Sequence, residues 1–233
     1  MFRLLLIAAI FSLGVCATVA DDSESRILGS TSPASMRQFQ HIASLRRAGT
    51  NQVHLAGGVM IGENWVLSAS SVASLFLTTP TQLLIAFGVI NVPTLVAPGF
   101  THVAQEIVLN DGLALIRILT VTCNAARFGM VSAIFMDHVV QPNVISHALV
   151  AGWGLTDAGA TTALRFRYVL TVHSCANETS LCTTNTLCSA DVGGPLVTAS
   201  GLIGIATSAT CGGIDTYARI SYYRMWIHVV TGI

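Results

Sequence analysis

Apolar and polar residues alternate over short runs through most of the chain, and glycines punctuate them. From His41 to Thr79 the alternation is interrupted at Gly57-Gly58 and at Gly62-Glu63-Asn64, which predicts short antiparallel strands turning at those glycines. Further on, the pair Gly193-Gly194 is followed by Pro195, Leu196 and Val197, which resume an extended apolar segment. Near the end the period changes. In SYYRMWIHVV, Tyr223, Trp226 and Val229 recur at helical spacing, which predicts a terminal helix that packs these three onto a sheet. Residues 119–150 carry the least informative pattern.

A length of 233 residues with no repeat and no Pro/Ser-rich linker or charge run predicts one continuous fold with a sizeable core. The amino terminus reads as a secretory signal over residues 1–20: Arg3, an apolar run from Leu4 to Val15, then Thr18-Val19-Ala20 as a small-residue cleavage site. A membrane anchor is the weaker reading, because the run is short and DDSES follows. The expected location is therefore secreted and extracellular.

Composition is 52% hydrophobic and 9% charged, and all eleven basic residues are arginine. Removing residues 1–26 takes away Arg3, Arg26, Asp21, Asp22 and Glu24, which leaves nine basic against eight acidic residues, a balance of +1. No nucleic-acid or anionic-membrane partner is implied. So sparse a charge favours an apolar contact surface or a lodged partner. The histidines show no metal-ligand spacing beside a carboxylate, so neither metal nor cofactor is expected.

The chemistry-bearing stretch is CSADVGGPLV, from Cys188 to Val197. It resembles the C-x-G-D-S-G-G-P nucleophile loop of the chymotrypsin and trypsin family of serine peptidases. HLAGGVMIGENWVLSASSVAS resembles the family's general-base region, LNDGLALIRI its orienting-aspartate region, and ALVAGWGLT a further marker in the family's order. The resemblance runs from Arg26 to the last helix and implies an all-β fold, two six-stranded antiparallel β-barrels with a C-terminal α-helix. It also implies a short activation peptide over 21–26 and a domain over 27–233. Cleavage after Arg26 would free the Ile27 ammonium to pair with Asp191, and a buried carboxylate kept without such a partner would be costly.

Aligned in this way, the triad positions hold Ser71, Gly112 and Val192. The first is no base at neutral pH, the second has no carboxylate, and the third has no lone pair. Asp111 lies one residue off register, on the opposite face of an extended chain unless a bulge intervenes. Losing one member of such a unit costs on the order of 10⁶ in turnover. In the specificity pocket, the floor falls on Thr186, the wall on Thr207, Ser208 and Ala209, and a wall glycine on Asp215, where a carboxylate would occupy or acidify the cavity. The oxyanion-hole glycine becomes Ala190, and His54 is expected to be a structural hydrogen-bonding residue.

By family position Cys175 pairs with Cys182 and Cys188 with Cys211. Two other family crosslinks are lost as pairs, at Ala56 with Val72 and at Ala148 with Thr198. Cys123 is left over, either buried and inert or available to another chain. Asn177-Glu178-Thr179 is a glycosylation sequon. The leading expectation is a secreted protease homologue that does not cut and acts by binding, as a decoy, regulator or cofactor of active proteases, their substrates or their inhibitors. The alternatives are a serine hydrolase with residual or rewired activity, tracking a residue such as Ser71 or Ser189, and a stored extracellular protein with no partner.

Overall fold

The computed structural model describes residues 32–34, 38–92, 96, 100–119, 131–137, 144–154, 163–175 and 177–233. The signal, Arg26, Ile27 and Cys123 lie outside them. Among the described residues, thirteen strands and two α-helices follow one another. The strands are β1 (Ser32–Pro33), β2 (Ile42–Arg47), β3 (His54–Gly62), β4 (Trp65–Ala69), β5 (Leu83–Phe87), β6 (Thr101–Asn110), β7 (Leu113–Ile118), β8 (Val144–Gly152), β9 (Arg165–Ser174), β10 (Ser180–Thr184), β11 (Pro195–Thr198), β12 (Gly201–Ser208) and β13 (Ile214–Arg219). A short α1 (Ser70–Ala73) follows β4, and α2 (Ile220–Thr231) ends the chain.

Strands β2-β3-β4-β7-β6-β5 close into one antiparallel barrel. The order β9-β10-β13-β12-β11-β8 makes the second, closed by pairing of β8 with β9, and β1 adds to the edge of β9. Each barrel has its own core. Leu45, Val66, Ile85 and Ile116 fill the first, and Val150, Leu181, Leu196 and Tyr217 fill the second. A third cluster joins β4 and β7 to β12 and α2 through Leu67, Leu115, Ile205 and Ile227.

Two local expectations change. Gly57 and Gly58 are not a turn; both lie inside β3. A β-carbon on Gly57 would stand 2.8 Å from the Gly194 nitrogen, and one on Gly58 would stand 2.6 Å from Leu45 Cδ1. Close approach, rather than chain reversal, demands glycine there. The turn occurs at Glu63-Asn64, as the register Gly62↔Trp65 shows. On α2 the buried face is Ile220, Tyr223 and Ile227 with Trp226 packed beside it, while Val229 is 74% exposed. Residues spaced by three and four share one side of a helix, and Val229 falls off the stripe that starts at Ile220.

Candidate functional site

The cleft is made where the β10–β11 connection is pressed against β3. Gly57 N–H donates to the Val192 carbonyl at 2.8 Å, and Ser68 Oγ donates to the Gly57 carbonyl at 2.7 Å. Gly193 sits at φ 85°, and a β-carbon there would come 2.2 Å from the Gly57 oxygen. Its N–H donates to Ala206 at 2.7 Å, so one short loop is stitched to both barrels.

Before Gly193 the chain makes a 3₁₀ turn over Ser189–Asp191. Asp191 is 1% exposed, its Oδ2 accepting from Cys188 N at 3.0 Å and its Oδ1 from Gly154 N at 2.5 Å. Burial pushes its pKa up to about 7, the two backbone N–H groups pull downward, and the Asp215 charge adds to the rise. Gly152 makes room for this carboxylate, because a β-carbon there would stand 2.1 Å from Oδ1.

The three triad-aligned positions lie as follows. Val192 is half-buried, with φ −55° and ψ 135°, and its N–H points back to Ser189 at 3.5 Å. Ser71 is exposed on α1. Gly112 lies in the tight β6–β7 turn, its carbonyl accepting from Ser70 N at 2.9 Å. A β-carbon on Gly112 would meet Thr207 Cγ2, and Thr207 is held by its Oγ1 donating to Thr216 at 3.1 Å. Asp111 is exposed at the tip of that turn with φ 47°, and its charge is felt by Tyr223 of α2.

A serine–imidazole contact does exist, but at the back of the loop. Arg46 Nε donates to Ser44 Oγ at 3.0 Å, Ser44 Oγ lies 2.8 Å from His54 Nδ1, and His54 Nε2 faces the Ala190 carbonyl at 3.4 Å. The Ala190 carbonyl can only accept, so the neutral ring carries its proton on Nε2, and Nδ1 accepts from the Ser44 hydroxyl while Ser44 Oγ accepts from Arg46 Nε. Burial holds the His54 pKa down to about 4, with Ala190 acting against this and Arg46 reinforcing it. Ser44 is fully buried and is backed by a guanidinium, not a carboxylate, so no substrate carbonyl reaches it.

Of the pocket-aligned positions, Thr186 meets Asp215, which is fully buried. Its Oδ2 accepts from Thr186 N at 2.8 Å, Thr186 Oγ1 at 2.6 Å and Leu187 N at 3.0 Å, and its Oδ1 from Thr210 N at 3.2 Å. Thr183 Oγ1 and Tyr217 Oη complete the cluster, Thr183 lying 2.6 Å from Thr186 and Tyr217 3.2 Å from both. Sequence reasoning missed these two, and only their strand alternation opposite the pocket positions could have marked them. Ser208 is exposed at the end of β12, and Ala209 packs on the second core.

Disulfides join Cys175 to Cys182 and Cys188 to Cys211, the second tying the 3₁₀ turn to the β12–β13 connection. Asn177 is exposed between β9 and β10. Among the described residues no cluster of three or more His, Cys, Asp or Glu side chains forms a metal site. No helix among them is long and apolar enough to cross a membrane.

The fold is similar to that of human heparin binding protein. One structure of that protein is 24% identical over 88% of this chain and 97% of its own, with a TM-score of 0.71. A doubly substituted mutant of it gives 24%, the same shares and 0.72. An atomic-resolution structure gives 22%, 89% and 97%, and 0.70. No curated protein matches by sequence. The trypsin family model matches residues 28–227, nearly the whole length, and the chain therefore belongs to the trypsin family, the chymotrypsin/trypsin-like serine peptidases.

Proposed function

We propose that this chain is a secreted, non-proteolytic member of its family that acts by binding a protein or peptide, as a decoy, regulator or cofactor of active proteases, their substrates or their inhibitors. The observation that carries the reading is Val192, a hydrocarbon side chain on a loop whose N–H turns back to Ser189. A barrier increase on the order of 8 kcal/mol follows from losing the nucleophilic unit. Gly112 supports the reading, because Thr207 fills the space a carboxylate would need. Asp215 supports it as well: its oxygens face inward to Thr186, Leu187 and Thr210, where a substrate side chain would have to enter.

Residues 1–20 act as the signal and 21–26 as the activation peptide, and cleavage after Arg26 sends Ile27 to Asp191. Asn177 is the glycan site. Heparin binding is not carried over from that neighbour, because the mature balance of nine basic and eight acidic residues gives no excess that would call for a polyanion.

Purified chain cleaved after Arg26 should turn over no tryptic, chymotryptic or elastase-type peptide and should take no label from a serine-directed phosphonate. Labelling would overturn the reading. Affinity capture separates a binding protein from a stored one, which would return no stoichiometric partner.

A further inference from the structure

Arg219, at the end of β13, is a buried cation with no anion beside it. The residue is only 6% exposed, and among the described residues no carboxylate pairs with it. Its Nη2 donates to the Ser174 hydroxyl, while Nε is sealed from solvent with no acceptor. A guanidinium does not give up its proton, so a charge placed here is costly unless it is paired or fully hydrogen-bonded. The backbone beneath it is fixed on both sides: Arg219 N–H donates to the Thr179 carbonyl at 2.8 Å, and Ala218 pairs with Ser180.

The same residue is the N-cap of α2. That position ordinarily holds an oxygen that accepts from the free N–H groups of the first helical turn. Arginine can only donate, and the turn that follows has no acidic residue and no side-chain cap hydrogen bond. Donors therefore meet donors, because a guanidinium stands at the positive end of a 12-residue helix. Each raises the cost of the other unless an anion joins them. Two carboxylates belong to this neighbourhood: exposed Glu178, next to Thr179, and Asp111, whose charge is felt by Tyr223 of α2. Neither forms an ion pair with Arg219.

We propose that Arg219 and the first turn of α2 bind a tetrahedral oxyanion, inorganic sulfate or phosphate. The ion accepts from the guanidinium and from the N–H groups of Ser221 and Tyr222, with the half-buried Ser221 hydroxyl as a further donor. Two negative charges answer the arginine and the helix end together, where a single carboxylate would answer one of them. A small ion is required because so little of the arginine is open to solvent. The near-neutral balance of the whole chain is no obstacle, since one lodged ion needs local donors and not an overall excess of positive charge. The site shares no residue with the triad-aligned positions and stands whether or not the cleft cuts.

The test follows the Arg219 Nε–H and the Ser221 and Tyr222 amides by NMR in the isotope-labelled full chain. Sodium sulfate is titrated against sodium chloride at matched ionic strength, so that screening is equal in both. Sulfate should move the three resonances along one saturating curve, and chloride should not. Arg219→Met should weaken binding about tenfold or more, the worth of a hydrogen bond to a charged group. Ser221→Asp puts a carboxylate into the first turn, so it should raise Tm and abolish the sulfate response, a result that does not depend on the arginine variant folding. The proposal is overturned if no saturating shift occurs, if chloride gives the same shift, or if the response survives unchanged in both variants. Phenyl sulfate binding as tightly as sulfate would assign the site to a sulfate group on a larger partner and overturn the free ion as occupant. If Glu178→Gln, with no ion added, moves the Arg219 Nε–H as far as sulfate does, the chain's own carboxylate is the occupant and the proposal falls equally.

Discussion

Gly112 and Thr207 touch across the cleft: a β-carbon built on Gly112 would stand 2.9 Å from Thr207 Cγ2. Thr207 is β-branched and its Oγ1 is tied to the Thr216 carbonyl, so its methyl group cannot swing away freely. Restoring a carboxylate by Gly112→Asp should therefore cost about 1–3 kcal/mol through overpacking and should create no activity. In a Thr207→Ser background the methyl is gone and most of that cost should disappear. Urea unfolding of both single variants and the double variant measures the coupling, and simple additivity would show that the contact does not matter.

Asp215 gathers donors from three backbone N–H groups, Thr186, Leu187 and Thr210, and from one hydroxyl. Removing it orphans the Thr186 and Leu187 groups, which are buried away from water, each at about 1–3 kcal/mol. Asp215→Ala should be among the most destabilising single changes, well beyond Tyr217→Phe, which removes one hydroxyl from the same cluster and should cost about 1 kcal/mol. Thermal unfolding ranks the two, and equal losses would mean that the carboxylate does not organise the pocket wall.

The order of the chain's motifs made the fold readable, because strand alternation, paired glycines and a terminal helix follow from local rules. What sequence could not supply was the reason for each residue. Gly57-Gly58 look like any glycine turn until Gly193-Gly194 are seen against Gly57, and Leu45 against Gly58. Val229 fits a helical spacing as well as Ile227 does, and only the position of the sheet decides which of them is buried. The proposed triad positions were legible only through motif alignment, as Val192 and Gly112 standing where the family pattern has a serine and an aspartate. Ser44 and Tyr217 are not: each acquires its role from a partner on another strand, ten residues or more away.

The Ser44–His54–Ala190 relay makes a prediction about ionisation. Burial holds His41 and His54 down to about 4, so both stay neutral in the folded chain while unfolded histidine protonates near 6.5. Between those values the unfolded chain binds more protons, so each histidine contributes stability that is present above 6.5 and lost as pH falls toward 4. Imidazole resonances of His41 and His54 should stay flat from pH 8 to 5. A midpoint near 6.5 for His54 would show that the Ser44–His54–Ala190 relay is open to water.

Asp191 runs in the opposite sense. Its folded pKa is raised from an ordinary 3.8 to about 7, so from about 4 to 7 the folded chain keeps a proton that the unfolded chain releases. Stability should then fall across that window, by a few kcal/mol in all (about 1.4 per pH unit), and level off above 7 where both states are ionised. An uncleaved chain carrying Arg26→Gln should show this loss relative to its Asp191→Asn counterpart, a comparison that cancels the histidine contribution. Cleavage after Arg26 supplies the ammonium of Ile27, and a cation beside the carboxylate lowers its pKa, so the difference between the cleaved chain and its Asp191→Asn form should shrink or reverse sign. Denaturant unfolding at half-unit pH steps reads both curves. If the two forms give the same pH dependence, the new amino terminus does not reach Asp191, and the proposed activation pair is lost.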